Sequence, residues 1–401
     1  MKKQFFKNTF IFIFNKVIRV IASITFYFYK YKIVILREDR IGHQVGNFDK
    51  ELFKAEKRRL KKKIQTIFLF VCPPKDVANY YVRDQFRKLL SEFDYNYKVF
   101  RDDNLLEKLF IKIFENKKLI QNNRHFFISG EDYQPEGFIS KPIIYTSDNY
   151  INLCNKLEIE PNKYICIYAR DSQYLNEKFS SRDWDYHNYR NSDIDSLRLL
   201  SDYVIKELGL SVIRVGSIIQ KKINWTRNIH PKIIDYSASE FVSNKNDVDL
   251  IAGCNLYIHN GGGLHTIVKA ARKKMIRINS IPIFQNYGYY YGFKITKLLK
   301  KNNGRYLGFR EIASMNLGAA AFSNCFLESN VIVEDNSPED ILDVLKDHFK
   351  WRNGLLNEED KKLIEEYKKV MDELSREYGF SNTQINIISP SFLKKHKFLL
   401  S

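Results

Sequence analysis

The chain has 401 residues, 44% of them hydrophobic and 28% charged, which is enough to fold two domains of ordinary size around buried cores. Five cysteines (72, 154, 166, 254 and 325) show no CxxC spacing, and Cys72, Cys166 and Cys254 lie in or beside apolar runs; this excludes a disulfide framework or zinc site and fits buried thiols in a reducing cytoplasm. Of the net charge of +18, residues 1–63 carry +12 (17 Lys and Arg against 5 Asp and Glu); without an RNP or zinc-finger signature, that imbalance points to one anionic surface at one end and away from nucleic acid.

Phe10 to Tyr29 is apolar but interrupted by Lys16 and Arg19, short of the uncharged run a simple spanning helix needs. At about 100° per residue, Asn8, Asn15, Lys16, Arg19, Ser23 and Lys30 share an arc of roughly 100°, and Phe, Ile, Val and Tyr fill the rest. Three placements fit: packed on the protein's own core, spanning a bilayer, or lying in the plane of its surface. The basic stripe favours the last. No small-residue cleavage site follows, which argues against a signal peptide.

Lys32 to Leu36 reads as a strand and runs into a loop, Arg37 to Asn47, before a helix from Asp49 to Lys63. Strand Thr66 to Cys72 ends at Pro73-Pro74; a helix over about 77–92 and strand Tyr97 to Phe100 follow. Apolar strands alternating with helices predict a parallel sheet in a layered α/β domain. Residues 121–160 are polar and turn-rich, which places the domain boundary near 150. The alternation restarts with Tyr164 to Tyr168. A long polar loop, Ser172 to Asp193, then carries Asp183, Asp185, His187 and Arg190. Helix 194–208, strand Ser211 to Val215, strand Ile233 to Tyr236 and helix 248–254 come next. Ser337-Pro338-Glu339-Asp340 reads as a capped helix start, and a charged helix covers about 358–377.

Between Leu256–His259, a short apolar strand, and the helix opening at Leu264 stand Asn260, Gly261, Gly262 and Gly263. Glycine there permits positive φ and close approach of a ligand, and a strand–glycine turn–helix join can cradle a phosphate. The stretch is neither GxGxxG nor GxxxxGK[ST], so a plain glycine turn remains the alternative. Arg170, Arg190 and Arg214 follow strand ends, where ligands bind in open α/β sheets, and suit phosphate; each alone is equally a surface charge. His43, His187, His259 and His265 are candidate bases or ligands, with a satisfied structural histidine the alternative for each. There is no HExxH, GxSxG or kinase motif set.

Two Rossmann-like halves with a diphosphate site in the second is the layout of GT-B glycosyltransferases. Several blocks of the chain resemble a bacterial family of surface-polysaccharide glycosyltransferases over about 33–397. They are Arg40-Ile41-Gly42-His43, Cys72-Pro73-Pro74, Ala169 to Leu175, His187 to Ile194, Val212 to Gly216, Ser337 to Ile341 and Ser389 to Leu393. The turn Asn260-Gly261-Gly262-Gly263 departs from the Ser-Gly-type turn expected there.

The resemblance implies an α/β fold of two Rossmann-like domains, a nucleotide-sugar donor, no cofactor and no bound metal. With the residue reading it divides the chain into an amphipathic membrane-associating helix (1–31), an acceptor domain (32–150), a nucleotide-sugar domain (151–350) and a helical tail (351–401). The expected enzyme moves a sugar, with inversion, from a nucleoside diphosphate to a lipid-linked or growing surface glycan, on the cytoplasmic face of an anionic membrane. The diphosphate is expected on the N–H groups of Gly262, Gly263, Leu264 and His265, in the turn that Asn260 and Gly261 open. Arg170, Arg190 and Arg214 would neutralise it, and Asp193 would orient Arg190 or bind ribose. Arg40 and Gly42 flank the first loop, where His43 is expected to face the cleft as general base, with Asp171 the second candidate. Two other classes fit: a catalytically silent nucleotide- or glycan-binding module, and a peripheral membrane scaffold that works through residues 1–63.

Overall fold

The computed structural model describes residues 31–62, 65–71, 77–100, 141–181, 183–225, 230–284, 292–380 and 387–401. The expected amphipathic segment, Cys72-Pro73-Pro74 and residues 101–140 lie outside these. Among the described residues, no helix is long and apolar enough to cross a membrane. The chain divides into two compact units, 1–126 and 127–401.

In the first unit, strands β1 (Tyr31–Arg37), β2 (Gln65–Val71) and β3 (Asn96–Phe100) form a parallel sheet in the order β1-β2-β3. Helix α1 (Ile41–Lys62) links the first two strands and α2 (Tyr80–Glu92) the next two. The helix after β1 therefore begins eight residues before the expected Asp49, and Gly42, His43 and Gly46 are helical, not in a loop. Burial overrides the weak helix propensity of glycine here, because Val45, Phe48, Leu52 and Ala55 recur at helical spacing and are all buried. Phe48 stacks on Phe86 of α2, ring centroids 3.8 Å apart, and sits over Phe68 of β2. Asn79 caps α2 by accepting the Val82 N–H at 3.0 Å. At the C-terminal end of β1, buried Glu38 accepts from Arg83 Nε at 2.8 Å and from Gln44 Nε2 at 3.0 Å.

The second unit begins before the expected boundary at 150. The Ile143 N–H donates to the Ala270 carbonyl at 2.8 Å, and Ser147 gives both its N–H and its Oγ to Asp249 at 2.6 Å each. Its strands are β4 (Tyr164–Tyr168), β5 (Ser211–Arg214), β6 (Ile233–Asp235), β7 (Leu256–His259), β8 (Lys274–Ser280) and β9 (Phe293–Thr296). A hairpin, β10 (Leu298–Lys301) with β11 (Val331–Glu334), and an edge strand, β12 (Ile387–Ile388), follow. The main sheet runs β12-β9-β8-β7-β4-β5-β6, all parallel. Counted from β4, that is the doubly wound order 3-2-1-4-5-6 with a seventh strand at the edge, and the order reverses between β4 and β7.

The helices of this unit are α3 (Tyr150–Lys156), α4 (Gln173–Lys178), α5 (Arg198–Leu208), α6 (Asn244–Gly253), α7 (His265–Ala270), α8 (Phe309–Ser314), α9 (Ser323–Glu328), α10 (Pro338–Arg352), α11 (Glu358–Tyr378) and α12 (Pro390–Lys395). Ser337 and Asp340 cap α10 reciprocally with Pro338 in its first turn, as the sequence pattern predicts. Helix α10 packs on β8, β9 and α5 over Ile276, Ile278, Phe293 and Ile295. Residues 351–401 close this same unit. Ile387 pairs with Phe293, and Ser389 Oγ donates to buried Asp347 at 2.6 Å. Cys154, Cys166 and Cys254 are buried free thiols.

Candidate functional site

Parallel strands leave their last residues at one edge of the sheet, and where the order reverses, the loops after neighbouring strands turn apart and open a crevice. In the second unit, Ala169-Arg170-Asp171 follows Tyr168 at the end of β4, and Asn260-Gly261-Gly262-Gly263 follows β7, at this point.

Asn260, 1% exposed, ties the two loops together. Its Oδ1 accepts the Arg170 N–H at 2.7 Å and its Nδ2 donates to the Arg190 carbonyl at 3.0 Å. The side chain expected on a ligand is thus directed into the protein, where it positions two arginines. The Arg170 guanidinium is held by Asn191 Oδ1 and reaches the His187 carbonyl at 3.5 Å. Asn191 is fixed in turn by Ser172 Oγ at 2.7 Å, and its carbonyl accepts from Lys297 Nζ at 2.7 Å. Arg190 lies against the glycine turn, since a Cβ on Gly261 would stand 3.6 Å from Arg190 Nη2. Arg190 Nε is buried without a hydrogen-bond partner, and among the described residues neither arginine makes an ion pair. Burial, with the like charge of Arg190 beside it, pulls Arg170 down to about 10. Burial lowers the pKa of Lys297 against the pull of its Asp335 partner at 2.5 Å, and the Arg170 charge lowers it further. Arg170, Arg190 and Lys297 thus lie close together, Lys297 paired with Asp335 and Arg170 within reach of the Asp171 charge, and an anion would relieve the repulsion between the two arginines.

The turn itself needs its glycines. Gly261 and Gly262 have φ of +123° and +87°, and a Cβ on Gly262 would meet the Tyr168 ring at 2.9 Å. Two neutral histidines brace it. The Gly261 N–H donates to His259 Nδ1 at 3.0 Å, and His265 Nδ1 contacts the Gly262 carbonyl. Burial lowers both; the charges of His265 and Arg277 add to it at His259, and those of Lys269, Arg277 and Arg190 at His265, which falls to about 3. The His265 ring, a candidate base by residue type, is thus committed to the turn. The N–H groups of Gly262, Gly263 and Leu264 have no partner among the described residues, and successive free N–H groups form an anion-binding concavity.

Other expected residues take structural roles. Arg214, 2% exposed, donates to the Lys221 carbonyl at 2.6 Å and lies 3.6 Å from Asp235. Asp193 pairs with Lys221 at 2.7 Å and caps a short helix at Ile194, so it does not orient Arg190. Asp171 accepts the N–H groups of Gln173 and Gln220, both at 3.0 Å, which commits both its oxygens to loop bracing. These residues line a cavity of about 580 Å³ with Asn191, Ser192 and Asp335. In the first unit, Arg40 lies 3.8 Å from Asp39, Gly42 occupies the first turn of α1, and His43 Nδ1 is 3.4 Å from Asp39 Oδ1. Burial of Asp39 opposes its ionisation, but the His43 hydrogen bond and the charges of His43 and Arg40 outweigh it and leave its pKa lowered. Sequence reading missed Tyr168, Asn191 and Lys297. Asn191 lies inside a block already singled out, whereas Lys297 follows a strand with no legible pattern. Among the described residues, no group of three or more His, Cys, Asp or Glu is placed to hold a metal.

No family profile matches the chain, and no curated protein matches it in sequence. Its fold is similar to that of several solved structures at low identity. Against the ADP-heptose LPS heptosyltransferase II of E. coli, identity is 12% over 80% of this chain and 99% of that one, with a TM-score of 0.39. A glycosyl transferase family 9 protein from Veillonella parvula gives 9% over 79% and 96%, with a TM-score of 0.43. The E. coli heptosyltransferase WaaC, solved with ADP-2-deoxy-2-fluoro heptose, gives 10% over 75% and 99%, with a TM-score of 0.32.

Proposed function

We propose that the protein is a glycosyltransferase of GT-B architecture that transfers a sugar from a nucleoside diphosphate donor to a glycan acceptor, lipid-linked or growing, at the cytoplasmic face of a membrane. The observation that carries this reading is the Arg170–Arg190 pair, two guanidinium groups at the reversal of a doubly wound sheet that make no ion pair among the described residues, next to three N–H groups without a partner among them. The sequence blocks that resemble surface-polysaccharide glycosyltransferases support it, because Arg170, Asn191 and Arg190 fall inside them.

In this mechanism the donor diphosphate sits on Gly262, Gly263 and Leu264, and Arg170 and Arg190 meet its charge. As the glycosidic bond to phosphate breaks, the charge on the leaving diphosphate grows, and prepositioned cations stabilise that change without reorganising. They take the part a divalent ion plays elsewhere. His43, held by Asp39, is the base assigned to the acceptor hydroxyl. The apolar, basic N-terminal segment suits an acceptor carried on a membrane lipid.

The test is a thermal-shift panel of UDP, GDP, ADP, dTDP and CMP sugars against the whole chain. One diphosphate sugar at about 100 times its Kd should stabilise the protein by about 2.7 kcal/mol, and the CMP sugar, with a single phosphate, should not. Replacing Arg170 and Arg190 with Met should weaken that donor at least tenfold, about 1.4 kcal/mol. Transfer should survive EDTA. Absence of any diphosphate response, or undiminished affinity in the folded double variant, defeats the reading.

A further inference from the structure

Successive residues of a strand point to opposite faces of its sheet, and β4 divides its side chains accordingly. Ile165 and Ile167 join the hydrophobic core with Leu200 and Val204 of α5, which leaves Tyr164, Cys166 and Tyr168 on the other face. The first two of these are sealed under α6, where the Leu250 carbonyl accepts the Tyr164 hydroxyl at 2.9 Å and the Cys166 thiol at 3.5 Å. Tyr168, the last residue of the strand, is partly exposed, and among the described residues its hydroxyl has no hydrogen-bond partner.

The ring is seated between two glycines. A Cβ on Gly262 would stand 2.9 Å from Tyr168 Cε1 and 3.0 Å from its hydroxyl oxygen, and a Cβ on Gly216, after β5, would stand 3.4 Å from Cε2 on the opposite edge of the ring. Both glycines have positive φ, +87° and +133°, so a side chain at either position would be strained as well as crowded. The ring is thereby fixed with its oxygen beside the turn that presents the N–H groups of Gly262, Gly263 and Leu264. The charges of Arg170 and Arg190 reach the same hydroxyl. Burial nonetheless raises its pKa, so at neutral pH it keeps its proton and can donate. Phenylalanine would fill this seat equally well; the oxygen is what calls for a ligand.

We infer that the Tyr168 hydroxyl donates a hydrogen bond to the diphosphate of the sugar donor, beside the N–H groups of the glycine turn and the two arginines. The inference rests on the diphosphate reading of this crevice and adds to it a neutral donor, carried on a strand end.

Titration calorimetry of the full chain with inorganic pyrophosphate, and with UDP, GDP and ADP, tests it. Y168F removes only the oxygen and keeps the ring in its seat. It should bind pyrophosphate and the preferred nucleoside diphosphate at least about tenfold more weakly than the parent, as expected for a lost hydrogen bond to a charged group. Its melting profile without ligand should match the parent's. Y168L, which also empties the seat, should bind no better than Y168F. Parent-like affinity in Y168F, with weakened binding in R170M/R190M, overturns the inference and leaves the diphosphate reading standing. A parent chain that binds neither pyrophosphate nor any of the three nucleotides overturns both. A lower melting temperature in ligand-free Y168F would show that the hydroxyl is spent within the protein, and overturns the inference too. So does a loss seen with a nucleotide sugar but not with pyrophosphate, which would move the contact to the sugar.

Discussion

Asn260 shows how one buried amide can set a charged site. Its two hydrogen bonds fix the backbone at Arg170 and at Arg190, residues on one long loop, against the end of β7. Asn260→Ala leaves a buried N–H and a carbonyl unpaired, which costs about 1–3 kcal/mol. Because both arginines hang from those backbone groups, nucleotide affinity should fall more than tenfold in a variant that still melts cooperatively. Titration calorimetry on the purified variant checks this, and unchanged affinity would show that the arginines are placed without Asn260.

The element that joins β7, its turn and α7 carries a pH dependence with a definite sign. His259 accepts the Gly261 N–H through Nδ1, which it can do only while that nitrogen is unprotonated. His259 and His265 both have folded pKa values below 6.5, with His265 at about 3. A depressed folded pKa gives stability that is complete above pH 6.5 and is lost as pH falls toward the folded value, at about 1.4 kcal/mol per pH unit per histidine. Chemical denaturation between pH 7.5 and 5 should therefore show falling stability, with donor affinity falling alongside. His259→Asn keeps an acceptor near the same place and cannot be protonated, so its loss over that range should be smaller. Equal losses in parent and variant would mean other groups govern the acid limb.

For the whole molecule, a charge concentrated in the first 63 residues and a cationic crevice in the second unit put the proposed lipid contact and the proposed nucleotide site in different parts of the chain. Deleting residues 1–29, just before β1, should leave the nucleotide response unchanged. It should also lower vesicle affinity, including its salt-sensitive part, since surface charge is screened within about 8 Å at physiological ionic strength. Loss of the nucleotide response on truncation would place the segment in the protein's own core.

What local pattern alone determines was legible. Strands Tyr164–Tyr168 and Leu256–His259 were readable to the residue because continuous apolar runs bounded by polar turns have little else to become. The capped start of α10 was readable because its Ser, Pro and Asp each satisfy a local backbone requirement. The glycines and arginines were legible as candidates by residue type. Tertiary structure decided which of them meet. The reversal of strand order places Asn260 ninety positions from Arg170, yet 2.7 Å away, and Lys297 at the carbonyl of Asn191. Packing in the second unit also turned Arg214, Asp171 and Asp193 to bracing roles, and packing in the first extended α1 back through Gly42, because the burial of Val45 and Phe48 outweighs what glycine costs a helix. Local propensity sums over neighbours along the chain; a site at a sheet edge depends on contacts between residues far apart in it, and only the packed fold specifies those.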